Sequence, residues 1–103
     1  MDALLSGIEI SLINQEIIKD LFTRLIANNL IHSESPVGSD CEGGVCIRWP
    51  EHRLFCDVTG GEIYISVVPI GVTSLHDVKM QIFNHTEMDA VCKTLLSIIC
   101  PTL

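Results

Sequence analysis

The chain has 103 residues, 48% of them hydrophobic and 18% charged, with 13 acidic against 6 basic side chains and a net charge of −7. That length fits one compact domain over residues 1–103 with a modest core, and the composition argues against disorder and against a coiled coil. Negative charge of this size repels phosphate backbones, so the expected partner is a protein with a basic surface and not a nucleic acid.

The first predicted element is a helix from about Ser11 to Asn28. Ile13, Ile17, Ile18, Leu21, Phe22, Leu25 and Ile26 recur at helical spacing and form one apolar stripe. Ser6, Ser11 and Asn14 each suit an N-cap, and Ser6 with Glu9 spells a capping box. Asn28-Asn29 is a stop, because Asn tolerates the left-handed position after a helix. Residues His32 to Gly44 read as a loop, rich in the turn formers Ser33, Ser35, Pro36, Gly38, Ser39, Gly43 and Gly44, and acidic through Glu34, Asp40 and Glu42.

Strands are expected at Val45–Trp49, Leu54–Val58 and Glu62–Val68, with a fourth from about Val78 to Phe83 after a loop over Pro69–Ser74. Gly60-Gly61 makes a two-residue hairpin turn, which sets the register. Thr59 then pairs with Glu62, Val58 with Ile63, Cys56 with Ile65 and Leu54 with Val67, and the preceding hairpin pairs Trp49 with Leu54, Ile47 with Cys56 and Val45 with Val58. The last helix covers about Glu87 to Ile99, capped by Thr86 with Asp89 and ended by Pro101; Met88, Val91, Cys92, Leu95, Ile98 and Ile99 share a face. The fold class is α+β: an antiparallel sheet of three to four strands, with an N-terminal and a C-terminal helix on one face, in the order α-β-β-β-β-α.

That register separates two layers. Val45, Ile47, Leu54, Cys56, Val58, Ile63, Ile65 and Val67 form an apolar inner face for the helices. The outer face carries Cys46, Arg48, Phe55, Asp57, Tyr64 and Ser66, joined by Lys79, Gln81 and Phe83 if the fourth strand sends Val78, Met80 and Ile82 inward. Aromatic residues beside Arg on an open face are the usual hot-spot chemistry of protein interfaces. The candidate partner-binding residues are therefore Glu34, Asp40 and Glu42 in the acidic loop and Arg48, Phe55, Asp57, Tyr64 and Phe83 on the sheet.

Other chemistry is less well supported. Cys41, Cys46, His52 and Cys56 come in an order that would suit zinc, but four residues between the paired cysteines is the wrong spacing and Cys46 and Cys56 face opposite ways. A thiol nucleophile would pair Cys56 with His52, or Cys46 with His76, and neither has a flanking signature. A Cys41–Cys46 disulfide would need an oxidising compartment. Asp57 and Glu62 do not make an acid/base pair, and neither Gly43-Gly44 nor Gly60-Gly61 opens a helix as a phosphate loop does. No cofactor, metal or catalytic residue is expected.

Met1-Asp2-Ala3-Leu4-Leu5 lacks a basic start and Glu9 breaks the apolar stretch, so no signal peptide is read. No apolar run approaches the roughly 20 residues of a membrane span. The expectation is a cytoplasmic protein, monomeric or homodimeric, with its odd set of five cysteines reduced.

In size and charge alone, the chain resembles small phage-encoded inhibitors of host defence, including anti-CRISPR proteins, and toxin-neutralising immunity proteins. That resemblance implies a non-enzymatic protein that occludes a basic functional site on its partner. A helix followed by three strands is also similar to acidic secretion chaperones, which implies a dimeric scaffold. A zinc or thiol enzyme is the third alternative.

Overall fold

In the computed structural model the described residues are Leu5, 7–32, 34–68 and 78–100. Ser6, Ser33, the predicted loop over 69–74, His76 and Pro101 lie outside them.

Helix α1 spans Leu12–Ala27, with Ser11 as its N-cap residue. It ends as a left-handed cap: Asn29 has φ 59°, Asn29 N–H donates to the Ile26 carbonyl at 3.0 Å, and Leu30 N–H reaches back to the Leu25 carbonyl at 2.9 Å. Ile17, Ile18, Leu21, Phe22 and Leu25 are buried as the stripe requires. Ile13 and Ile26, predicted in the same stripe, are 62% and 40% exposed. The side chain that turns inward at the first turn is Asn14, fully buried, because it finds polar partners there.

Those partners tie three parts of the chain together. Asn14 Nδ2 donates to Ser11 Oγ and to the Gly43 carbonyl, both at 2.9 Å, and Asn14 Oδ1 accepts from Gly61 N–H at 3.0 Å. Ser11 N–H also donates to the Gly43 carbonyl, at 2.9 Å. The start of α1 is thus docked on two glycine turns. A Cβ on Gly61 would lie 2.9 Å from Ile13 Cδ1, and one on Gly43 would lie 2.7 Å from Ser11 Cβ.

The sheet has five strands in sequential order: β1 Val37–Ser39, β2 Val45–Trp49, β3 Leu54–Thr59, β4 Glu62–Val67 and β5 Lys79–Asn84. Every neighbouring pair is antiparallel. The added strand is β1, inside the segment expected to be loop. Three residues with Gly38 and Ser39 give it no readable pattern. A 3-10 turn at Pro50–His52, closed by left-handed Arg53, links β2 to β3. Gly60 and Gly61 both have positive φ, 58° and 80°, the requirement of the tight primed hairpin turn. All seven predicted pairings of β2–β3 and β3–β4 are present.

Helix α2, Met88–Ile99, follows a 3-10 turn at His85–Glu87. The cap is Asn84 and not Thr86. Thr86 N–H donates to Asn84 Oδ1 at 2.9 Å, and Asn84 N–H donates to Glu87 Oε1 at 3.0 Å. Both helices pack on the inner face, where Ile17, Ile18, Leu21, Phe22 and Leu25 of α1 and Met88, Val91 and Leu95 of α2 meet Val45, Ile47, Leu54, Cys56, Val58, Ile63 and Ile65 in one cluster. Fully burying each large aliphatic side chain contributes about 1.5–3 kcal/mol. A one-residue slip would exchange the faces of the sheet and forfeit on the order of 10 kcal/mol, comparable to a whole domain's stability.

The fourth expected strand is β5, and its facing corrects the sequence reading. Phe83 pairs with Ile63 and is buried, whereas Met80 and Ile82 are 57% and 54% exposed on the outer face. The physical cause is the cap. Asn84 aims its side chain at the turn that follows, and alternation then sends Phe83 inward, where it completes the row Val45–Val58–Ile63.

Candidate functional site

On the outer face, β2 to β5 align two cross-strand rows. One runs Cys46, Asp57, Tyr64, Ile82; the other runs Arg48, Phe55, Ser66, Met80. Phe55 and Tyr64 are half-buried by their neighbours, while Arg48, Met80 and Ile82 are exposed. The apolar part of this face therefore lies toward β5, and Phe83 has no place in it.

The acidic loop meets this face at one end. Asp40, Glu42, Asp57, Thr59, Tyr64 and Met80 wall a shallow recess of about 370 Å³. Four of the eight predicted residues, Asp40, Glu42, Asp57 and Tyr64, thus come together. Arg48 and Phe55 lie on the same face in the adjoining row. Glu34 is exposed elsewhere, its N–H donating to His32 Nδ1 at 3.2 Å.

The carboxylates differ in freedom. Asp40 Oδ1 accepts from Glu42 N–H at 2.7 Å and from Gly44 N–H at 2.8 Å, closing the β1–β2 connection. Burial alone would raise its pKa. The hydrogen bonds from Glu42, Gly44 and Thr59 outweigh that and hold the carboxyl below the usual carboxylate range. Asp40 is a charged staple of the loop, leaving Glu42 as the exposed acid at the rim. Tyr64 O–H donates to Glu62 Oε1 at 3.2 Å, and this bond raises the phenol pKa.

Thr59, Met80 and Ile82 belong to the site and were not read from sequence. The signal for the last two was Asn84 with Glu87 three residues on, a capping box that fixes the strand's facing.

Cys56 and Cys92 are buried, Cys46 and Cys100 are half-buried and Cys41 is exposed. Burial pushes the Cys46 thiol up to about 12, and its hydrogen bond to Asp57 adds to the effect. Burial likewise raises Cys56 and Cys92. A raised thiol pKa lowers the thiolate fraction available for nucleophilic attack. Cys46 pairs with Asp57 and Cys56 with Ile47, so the two sulfurs lie on opposite faces. Among the described residues, no group of three or more His, Cys, Asp or Glu side chains is arranged to hold a metal ion. No helix among them is long and apolar enough to cross a membrane.

A smaller recess, about 220 Å³, lies beside Trp49 and includes His32, Arg48, Glu51 and His52. Its Trp49 is committed to the fold, with Nε1–H donating to the Leu30 carbonyl at 2.8 Å. No family model, curated protein or solved structure matches the chain.

Proposed function

We propose that this chain is a non-enzymatic, protein-binding inhibitor of the immunity or anti-defence kind, which occludes a basic functional site on its partner with the outer face of its sheet. The observation that carries this is the recess between the acidic loop and the sheet. Glu42 and Asp57 supply negative charge beside the Tyr64 ring and the Met80 side chain. A protruding Lys or Arg fits such a site. Its cationic head pairs with carboxylate, its aliphatic stem lies along Met80, and the aromatic face adds cation–π attraction. The net charge of −7 steers a basic surface toward it from a distance.

The test is capture of the partner from native host lysate by the wild-type chain, followed by kinetics. Association should slow as salt rises. Glu42→Gln with Asp57→Asn should lower the association rate severalfold at low salt, and Tyr64→Ala should speed dissociation at least about tenfold. Partner binding left unchanged by both variants removes the recess from the interface.

A further inference from the structure

We infer that β5 is a pairing edge, through which two copies of this chain join into one continuous antiparallel sheet with the two-fold axis at Gln81. The sheet's edges are unequal. The β1 edge is three residues long, follows directly on Pro36 and contains Gly38. The β5 edge is six residues long, and no described element pairs with its far side. An edge of that length exposes a row of main-chain donors and acceptors.

The register identifies which groups are free. In a two-residue hairpin the closing pair, here Thr59 and Glu62, exchanges both main-chain hydrogen bonds. Val68 N–H donates to the Arg53 carbonyl at 3.0 Å, which keeps the same parity at the other end of the ladder. Glu62, Tyr64 and Ser66 therefore turn their main-chain groups toward β3, and Ile63, Ile65 and Val67 turn theirs toward β5. The partners of those three, Phe83, Gln81 and Lys79, bond back to β4. Met80, Ile82 and Asn84 point outward. The Asn84 N–H is occupied by Glu87 at 3.0 Å, which leaves both groups of Met80 and Ile82.

Met80 and Ile82 stand two positions apart, so the set is self-complementary. A two-fold copy places its Ile82 opposite Met80 and its Met80 opposite Ile82, giving four main-chain hydrogen bonds about Gln81 facing its own equivalent. The exposed Met80 and Ile82 side chains then cover each other on the outer face, and the two Gln81 amides meet on the other face, each able to donate and accept.

Other pairings fit less well. A two-residue shift toward the strand's end sets Met80 against Asn84 and loses the two bonds that need the Asn84 N–H. A two-residue shift toward its start engages Val78 at the border of the described residues, and a one-residue shift sets outer side chains against inner ones. Head-to-tail stacking of β5 on β1 would match six residues with three. The closed two-fold is therefore preferred over a filament. Charge does not oppose it at the seam: Lys79 is the sole charged residue of β5 and would face Phe83 of the second copy. The two lysines would lie about 13 Å apart, beyond the screening length of about 8 Å at physiological salt.

The pairing holds whether or not the outer face binds a basic partner. An interface of this size belongs to the weak class, so the test is sedimentation of the full chain from about 1 µM to about 500 µM. The mass should rise from 11.4 kDa toward twice that value. Over the same range, amide exchange at Met80 and Ile82 should slow while Gln81 and Phe83 stay protected throughout. Ile82→Pro and Met80→Pro each remove an outward N–H and should weaken the dimer at least about tenfold. Gln81→Cys, with Cys41 and Cys100 changed to Ser, should yield an oxidised covalent dimer. A wild-type chain that stays at the monomer mass to the highest concentration overturns the proposal. So does a dimer whose Met80 and Ile82 amides exchange as fast as those of the monomer, whatever the proline variants do.

Discussion

The inner and outer faces of the sheet are built from the same strands, yet they are under different constraints. Val45, Ile47, Leu54, Cys56, Val58, Ile63 and Ile65 are essentially sealed from water, in rows matched across β2, β3 and β4. The rows opposite mix a thiol, an Arg, an Asp, aromatic rings and, at β5, exposed Met80 and Ile82. On β5 only Phe83 joins that inner layer: Lys79 and Gln81 share its register but stay exposed at the rim, and the aliphatic side chains point out. Packing specifies the first face. The second is free to carry chemistry, and it shows an apolar excess that solubility does not require.

The contrast can be tested from its strongest side down. Ile63→Ala should lower unfolding stability by about 2–5 kcal/mol in urea titration, with the spread set by how far the cavity collapses. A cost under about 1 kcal/mol would mean that the inner layer is not the packed core. Asn14→Leu should cost about 1–3 kcal/mol by leaving Gly61 N–H without a partner and stripping the Gly43 carbonyl of one of its two donors beneath the helix start. A neutral result would show water replacing the amide.

The cysteines sharpen the comparison through pH. The folded thiols of Cys46 and Cys56 are raised, Cys46 to about 12, chiefly by burial, against an ordinary value of 9.0. Above pH 9.0 the unfolded chain therefore releases protons that the native chain keeps, so stability is intact below that pH and falls progressively above it. Urea midpoints should decline with pH across this window, and the decline should become shallower in Cys46→Ala; an unchanged slope would mean the thiol is well solvated. The smallest effect is expected outside. Met80→Ser should change stability by no more than about 0.5 kcal/mol at low micromolar concentration, since the side chain leaves one open surface for another. A loss as large as that of Ile63→Ala would mean that another part of the chain covers this face.

Most of the fold was legible because one turn was. Gly60-Gly61 calls for a tight hairpin turn, and from it every pairing of β3 with β4 follows by alternation, while β2 is matched to the same apolar face through the preceding hairpin. The sequence offers no such two-residue turn between β4 and β5, so the facing of β5 rests on its own ambiguous pattern, in which Met80 and Ile82 compete with Phe83. The deciding residue was Asn84, two positions before the Thr86 that looked like the cap. β1 was hidden because three residues with one apolar side chain have no period. Asn14 was readable as a cap candidate but not as a buried one, since its partners at Gly43 and Gly61 are 29 and 47 positions away. At the site, Asp57 and Tyr64 were found by register. Their meeting with Asp40 and Glu42 was not, because it depends on how the acidic connection folds back over the sheet.

The amide clamp at Asn14 also sets where the chain tolerates a change of length. An extra residue between Gly60 and Gly61, or beside Gly43, would carry the clamped amide or carbonyl out of reach and unseat the first turn of the helix. The same insertion next to Glu34 disturbs no such long-range bond. Tags and cross-linking handles therefore belong at Glu34, and neither glycine turn can be lengthened without loosening the N-terminal third of the domain.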